Sequence, residues 1–249
     1  MSEEIVRGAL YVVATPIGNL EDISHRAARI LEGVDCIAAE DTRTSGVLLA
    51  HLGIKKPMVS YHSYNERRRV DELVSRLRNG ETVAVITDAG TPAISDPACA
   101  LVRAAVEAGI RVIPIPGASA VLAALVASGL PTDRFVFEGF LPVKKGRATR
   151  LKMLKEEPRT IVVYEAPHRV ERTLHDLAET LGDRQAVLAR ELTKKFEEIR
   201  RGVLSDLLEG VRRKPPKGEM VIVIQGANGR RSFREVSDGE ECGSTTETA

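Results

Sequence analysis

The sequence contains no tryptophan, five phenylalanines and four tyrosines, so aromatic residues make up only 4% of its 249 positions. So few large rings argue against a big apolar ligand pocket. Cysteine is also scarce: Cys36, Cys99 and Cys242 are far apart, odd in number and fall in no CxxC or Cys/His ligand pattern. A disulfide-stapled mini-domain is excluded, and a reducing, cytosolic setting is the simplest reading. Neither sign of charge is in excess, with 36 Lys+Arg against 35 Asp+Glu, which speaks against a uniformly basic nucleic-acid coat. No apolar stretch approaches the roughly 20 residues of a membrane-spanning helix. The start, MSEEIVRGALYVVATP, places two acids where a signal peptide carries a basic region. A soluble, cytoplasmic protein without membrane contact is expected.

Common catalytic signatures are missing as well. The five histidines, His25, His51, His62, His168 and His175, are dispersed, and the last two stand seven apart without a third ligand. There is no GxSxG, Walker A or HExxH pattern. No metal site is expected, so the chemistry must come from a bound cofactor or from acids and bases on loops.

What is present is an apolar share of 43%, enough to bury a core in one large α/β unit or two smaller ones. Short β-branched runs alternate with amphipathic stretches. Strands are predicted at 10–14, 36–39, 58–61, 83–87 and 112–115, then at 135–138, 160–164, 186–190, 197–201 and 220–225. Helices are predicted at 24–31, 42–52, 65–78, 96–108, 119–128, 148–155, 167–181 and 204–213. Such alternation implies an α/β fold, with sheets covered by helices. Two prolines in Pro114-Ile115-Pro116-Gly117 prevent a regular central strand from continuing. The chain therefore divides into α/β domains at 1–115 and 116–226, followed by a disordered polar tail at 227–249.

In open α/β sheets, ligands bind beyond the carboxyl ends of strands. The first such loop, 14–22, carries Pro16 and a single glycine, Gly18, so it lacks the glycines that let a backbone approach a pyrophosphate. The loop DAGTPAISDP, 88–97, is small and polar; Asp96-Pro97 also reads as a helix start. The segment PIPGASA, 114–120, leads into a helix of small residues at the domain junction. Three strand ends combine acid and base: Glu40-Asp41-Thr42-Arg43, Glu165-Ala166-Pro167-His168-Arg169 and Arg190-Glu191-Leu192-Thr193-Lys194-Lys195. Helix capping by Asp41 or Thr42 accounts for part of the first, but three such ends exceed what capping needs. A polar substrate follows.

The ordered segments LYVVATPIGNLEDISHRA, AAEDTR, TDAGTPAISDP, IPIPGASA, RFVFEGFLP, YEAPHR, ARELTKKFEE and KGEMVIVI closely resemble the tetrapyrrole-methylase superfamily. Within it, DAGTP, AEDTR and ARELTK resemble the branch of small-subunit ribosomal RNA ribose 2′-O-methyltransferases I. The resemblance implies two α/β domains with S-adenosylmethionine in the cleft between them, a homodimer, and methylation of the ribose 2′-oxygen of a decoding-region cytidine in 16S rRNA, free or within the small subunit. By motif, the cofactor would contact Thr15, Pro16, Asp88, Gly90, Thr91, Ile94, Ser119, Tyr164, Ala189 and Met220. The family commonly continues past the KGEMV strand with a helical segment, whereas here polar residues follow; the RNA grip then falls to the two core domains, or is weaker.

Removal of the 2′-hydroxyl proton needs a base, for which Glu165, Asp41 and Glu191 are the candidates. Arg43, Arg169 and Arg190 would hold flanking phosphates. Lys144, Lys145, Arg147, Arg150, Lys152 and Lys155 form a cationic run with no intervening acid and are a second RNA candidate, although a solvated helix face explains most such runs. Two rivals stay open: a corrinoid methyltransferase sharing the cofactor site, and a non-catalytic rRNA-binding assembly factor keeping only the basic run.

Overall fold

A computed structural model describes residues 4–229. Five short strands, β1 (Leu10–Val13), β2 (Cys36–Ala39), β3 (Met58–Ser60), β4 (Val83–Ile86) and β5 (Val112–Ile115), form a wholly parallel sheet in the order β3-β2-β4-β1-β5. The central three are buried along most of their length because helices cover both faces, which is why their sequences read as unbroken apolar runs. Ala27, Ile30 and Leu31 of α1 (His25–Gly33) and Leu49 of α2 (Thr42–His51) pack on Tyr11, Val13, Ile37 and Ile86. Leu73 and Leu77 of α3 (Glu66–Arg78) and Leu101 and Ala105 of α4 (Ala98–Glu107) pack on Leu10, Cys36, Val83 and Val85 on the other face.

After α5 (Ala120–Ser128), a second sheet contains β6 (Phe135–Phe140), β7 (Thr160–Glu165), β8 (Gln185–Arg190), β9 (Glu198–Val203) and β10 (Met220–Ile224), ordered β6-β7-β10-β8-β9. Only β6 and β7 run parallel. Leucines of α6 (Arg147–Lys155), α7 (Val170–Leu181) and α8 (Leu204–Arg213) cover one face. Val121, Ala124 and Leu125 of α5 cover the other, against Val162, Val187, Ala189 and Val221.

Every predicted strand and helix is present, three of them (36–39, 112–115 and 204–213) with the same ends and the rest with shifted ones. Helix α4 starts at Ala98 because Asp96 Oδ1 accepts from the N–H groups of both Ala93 and Ala98 and holds 93–97 as a loop. Helix α7 starts at Val170 because the N–H groups of Arg169 and Val170 both donate to Ala166 O, closing a turn first. Pro114 sits inside β5, where it is tolerated because β5 is an edge strand and Pro114 is exposed. Of the predicted tail, residues after Gly229, Cys242 among them, lie outside the described residues. Among the described residues, no helix is long and apolar enough to cross a membrane.

Candidate active site

The parallel strands of the first sheet all end on one side, so their following loops converge there. Thr15 and Gly90 exchange backbone hydrogen bonds at 2.9 and 3.0 Å, and Thr15 Oγ1 donates to Thr87 O at 3.0 Å, joining the loops after β1 and β4. Thr91 Oγ1 donates to Ala118 O at 3.1 Å, adding the loop after β5. The second sheet faces them with its own strand ends. Because β10 runs antiparallel between β7 and β8, Met220 stands level with Glu165 on one side and Arg190 on the other. The Asn19 N–H donates to Thr193 Oγ1 at 3.1 Å across the junction.

Between these loops lies a cavity of about 270 Å³. Six acidic residues border it, Glu40, Asp88, Asp96, Glu165, Glu191 and Glu219, of which Glu165 has its carboxylate enclosed, against the single basic residue Lys194. Its apolar wall includes Ile17, Ile94, Phe140, Ala189, Leu192, Met220 and Val221. Tyr164 completes that wall, with its ring edge-on to Phe137 at 5.0 Å and tilted against Phe140 at 5.6 Å. Burial pushes the Tyr164 phenol up. Glu40 Oε2 accepts from Thr87 Oγ1 at 2.7 Å, and Asp88 Oδ1 accepts from the Asp41 N–H at 3.0 Å. Burial first, and then the neighbouring Glu40 and Asp41, hold the Asp88 carboxyl above the usual aspartate range. Burial also raises Asp96.

Ala93, Ser95, Glu191 and Thr193 are the described non-glycine residues with left-handed backbone, at φ of 70°, 65°, 50° and 67°. All four lie in two loops beside this cavity. Such conformations cost of order 1–3 kcal/mol each and persist where surrounding structure enforces them, commonly at functional sites. Glu191 is held by the ammonium of Lys194 at 2.9 Å, and Gly218, at φ 82°, makes room for it: a Cβ there would fall 2.0 Å from Glu191 Oε1.

Of the residues singled out from the sequence, Asp88, Gly90, Thr91, Ile94, Ser119, Tyr164, Ala189 and Met220 all line the cavity. Thr15 and Pro16 line a neighbouring hollow of about 400 Å³ that shares Asp88, Lys194 and Glu219 with it. Among the three base candidates, Glu191 and Glu165 reach the cavity and Asp41 does not. Asp41 instead caps α2 and takes a bidentate grip from Arg43, which lowers its carboxyl to about 2. Glu165 has no exposed side-chain surface: Oε1 meets the Ala166 N–H at 2.8 Å and Arg169 at 3.2 Å, and Oε2 meets the Thr173 hydroxyl at 2.5 Å.

The cationic run requires a correction. Arg147 is buried, with Nε on Asp176 Oδ2 at 2.7 Å, Nη1 on Pro142 O at 3.1 Å and Nη2 on Thr173 Oγ1 at 2.9 Å. It shares the inward stripe of α6 with Leu151 and Leu154, so it is unavailable to a phosphate. Arg169, bound to Leu141 O and Glu165, and Arg190, bound to Glu198 and Lys217 O, are also committed to protein partners. Arg150 pairs with Glu138 but stays half exposed, Arg43 is 89% exposed, and Lys144, Lys145, Lys152 and Lys155 are exposed. Glu40, Phe140, Lys194 and Glu219 escaped the sequence reading as site residues. Glu40 and Lys194 lie in motifs already noted, whereas Glu219 reaches the site only through the antiparallel insertion of β10.

The sequence profile of the Tetrapyrrole (Corrin/Porphyrin) Methylases matches residues 9–208. The chain belongs to the tetrapyrrole methylase family. It is a methyltransferase of this family. "Ribosomal RNA small subunit methyltransferase I" of Pasteurella multocida is 53% identical over 223 residues, covering 88% of this chain and 79% of that relative. The protein of the same name from Synechocystis sp. is 53% identical over 232 residues, covering 92% and 83%. The tetrapyrrole-methylase fold is also seen in uroporphyrin-III C-methyl transferase from Thermus thermophilus, solved with S-adenyl homocysteine. Its TM-score is 0.62 at 22% identity, covering 86% of this chain and 96% of that one.

Proposed function

We propose that this methyltransferase moves a methyl group from S-adenosylmethionine to the ribose 2′-oxygen of a cytidine in 16S rRNA, free or within the small subunit. The observation that carries the reading is the cavity between the sheets, where five acidic residues besides the enclosed Glu165 face one lysine. A sulfonium is a cation, and such a lining attracts it. Ile94, Ala189, Leu192, Met220 and Val221 supply an apolar slot for a nucleoside base, and Thr91 and Ser119 supply hydroxyls for its polar groups. In this reading Asp88, Gly90, Thr91, Ile94, Ser119, Tyr164, Ala189 and Met220 hold the cofactor, with Thr15 and Pro16 behind them. The relatives named for ribosomal RNA methylation supply the substrate class.

When bound, the cofactor supplies an electrophilic methyl. The chain must align the 2′-oxygen and remove its proton as the bond forms. Glu191 is the base the geometry favours: it lines the cavity, it is held in a fixed conformation, and its partner Lys194 faces both the cavity and the adjoining hollow. Glu165, enclosed by Thr173, Ala166 and Arg169, positions the strand end. Lys144, Lys145, Lys152 and Lys155, with Arg150 and Arg43, contribute the exposed cations for phosphate. The chain acts in the cytoplasm, where its substrate is, and as a homodimer; the exposed apolar pair Leu122 and Val126 on α5 supports a contact between copies.

Transfer of a tritiated methyl from S-adenosylmethionine to isolated small subunits, naked 16S rRNA and a tetrapyrrole tests this directly. Label on a cytidine 2′-oxygen is the expected result; label on the tetrapyrrole alone overturns the reading.

A further inference from the structure

Tyr64 is 97% exposed, the most open large hydrophobic side chain among the described residues. It sits in the loop after β3, which is tied by its own hydrogen bonds. The His62 N–H donates to Asn65 Oδ1 at 2.9 Å, Asn65 Nδ2 donates to Ser60 O at 3.0 Å, and the Asn65 N–H donates to His62 O at 3.0 Å. One asparagine thus ties the loop at both ends. The His62 ring stands edge-on to Tyr64 at 6.0 Å, steadying the phenol without covering its face.

The helix that follows opens with Glu66-Arg67-Arg68-Arg69. Arg69 is paired with Glu72 at 2.5 Å, whereas Arg67 and Arg68 are exposed and have no acidic partner among the described residues. Ser63, Asn65 and Glu66 line the same shallow hollow, so the surface beside the ring is polar there.

This loop opens on the same side as the active-site cavity, because β3 and β4 are parallel members of one sheet. Tyr61, which leads into it, donates its hydroxyl to Pro97 O at 2.9 Å, tying it to the end of the 88–97 loop. Beyond the cavity, Lys144 and Lys145 follow Phe140 from the end of β6. An aromatic ring with two guanidiniums and a pair of lysines therefore flank the site.

We propose that Tyr64, Arg67 and Arg68 form a stacking platform for an unpaired base of the substrate RNA, next to the nucleotide being methylated. This rests on the rRNA reading above. A base stacks on an exposed aromatic ring whatever its identity, and guanidiniums take the adjoining phosphates. A single ring between cations suits a single strand better than a duplex, whose bases are already stacked.

The test uses the absence of tryptophan. Tyr64→Trp gives the chain one indole, whose emission is followed while adding a single-stranded oligoribonucleotide, a duplex of equal length, or heparin, which has charge but no bases. Quenching by the single strand and not by heparin is expected. Tyr64→Ala should weaken single-strand binding about tenfold. Arg67→Ala/Arg68→Ala should lower the slope of log affinity against log salt by about 1.4. Affinity for S-adenosylmethionine should stay unchanged in all three variants. An indole that ignores RNA bound by the unsubstituted protein, or that heparin quenches equally, overturns the platform alone. Failure of the unsubstituted protein to bind or methylate any RNA overturns the platform and the rRNA reading together.

Discussion

The Thr173 hydroxyl donates to Glu165 Oε2 at 2.5 Å, and the same hydroxyl oxygen receives Arg147 Nη2 at 2.9 Å. Arg147 continues to Asp176. A buried polar chain thus runs from the wall of the active site into α7, and its members satisfy one another. Thr173→Val keeps the shape of the side chain but leaves the carboxylate and the guanidinium each short of a partner. A loss of about 2 kcal/mol is expected, read as a lower urea midpoint with an unchanged m-value.

Arg147→Ala separates structure from RNA binding. Removing one member of a buried ion pair costs about 3 kcal/mol, so the variant should unfold earlier yet bind RNA with unaltered affinity and salt dependence. Lys144→Ala/Lys145→Ala should do the reverse, keeping the unfolding midpoint and flattening the salt dependence by about 1.4 in slope. Filter binding over a salt series, with urea unfolding alongside, checks both.

Asp88 carries a pH dependence whose sign follows from its raised carboxyl. As pH falls, Asp88 takes up its proton earlier than an ordinary aspartate, and affinity for the cationic cofactor falls with it. Asp88→Asn should weaken S-adenosylmethionine binding at neutral pH and remove this step. It should affect S-adenosylhomocysteine less, because that product has no sulfonium. Since the folded state holds the proton more tightly than the unfolded chain, the charged form opposes folding as pH rises. The asparagine variant should therefore melt higher at neutral pH. Calorimetric titration and thermal unfolding across a pH series test the two halves separately.

Glu191→Gln removes the proposed base with little change of shape. At saturating substrates kcat should fall about 100-fold or more. Gly218→Ala is the positional counterpart, because a methyl at that site collides with the Glu191 carboxylate. It should lower kcat similarly while Glu191 itself is intact. Single-turnover methyl transfer to small subunits measures both.

The elements were legible because each carries its period locally. The buried strand CIAA of β2 and the leucine stripe of α8 declare themselves within a few residues. Cavity residues such as Asp88 and Met220 were legible through the motifs that contain them. Arg147 was not, because a cation on an inward stripe is betrayed only by its distant partners Asp176 and Thr173. Glu219 was hidden for a topological reason: its neighbours Glu165 and Glu191 come from strands that β10 separates in space but follows in sequence. Asp41 carried two meanings, cap and base, and only its grip on Arg43 decided between them.

The edges of both sheets are blunted, each in its own way. In the first, β3 has three residues and β5 exposes Pro114, which has no N–H to offer. In the second, β6 carries a register break between Phe137 and Gly139, and β9 bears the charged residues Glu198, Arg200 and Arg201. None of these presents the flat run of free backbone groups that recruits another strand. Strand pairing between copies through these four described edges is thereby disfavoured. A concentrated solution of the protein is protected from strand-by-strand aggregation by the same four devices.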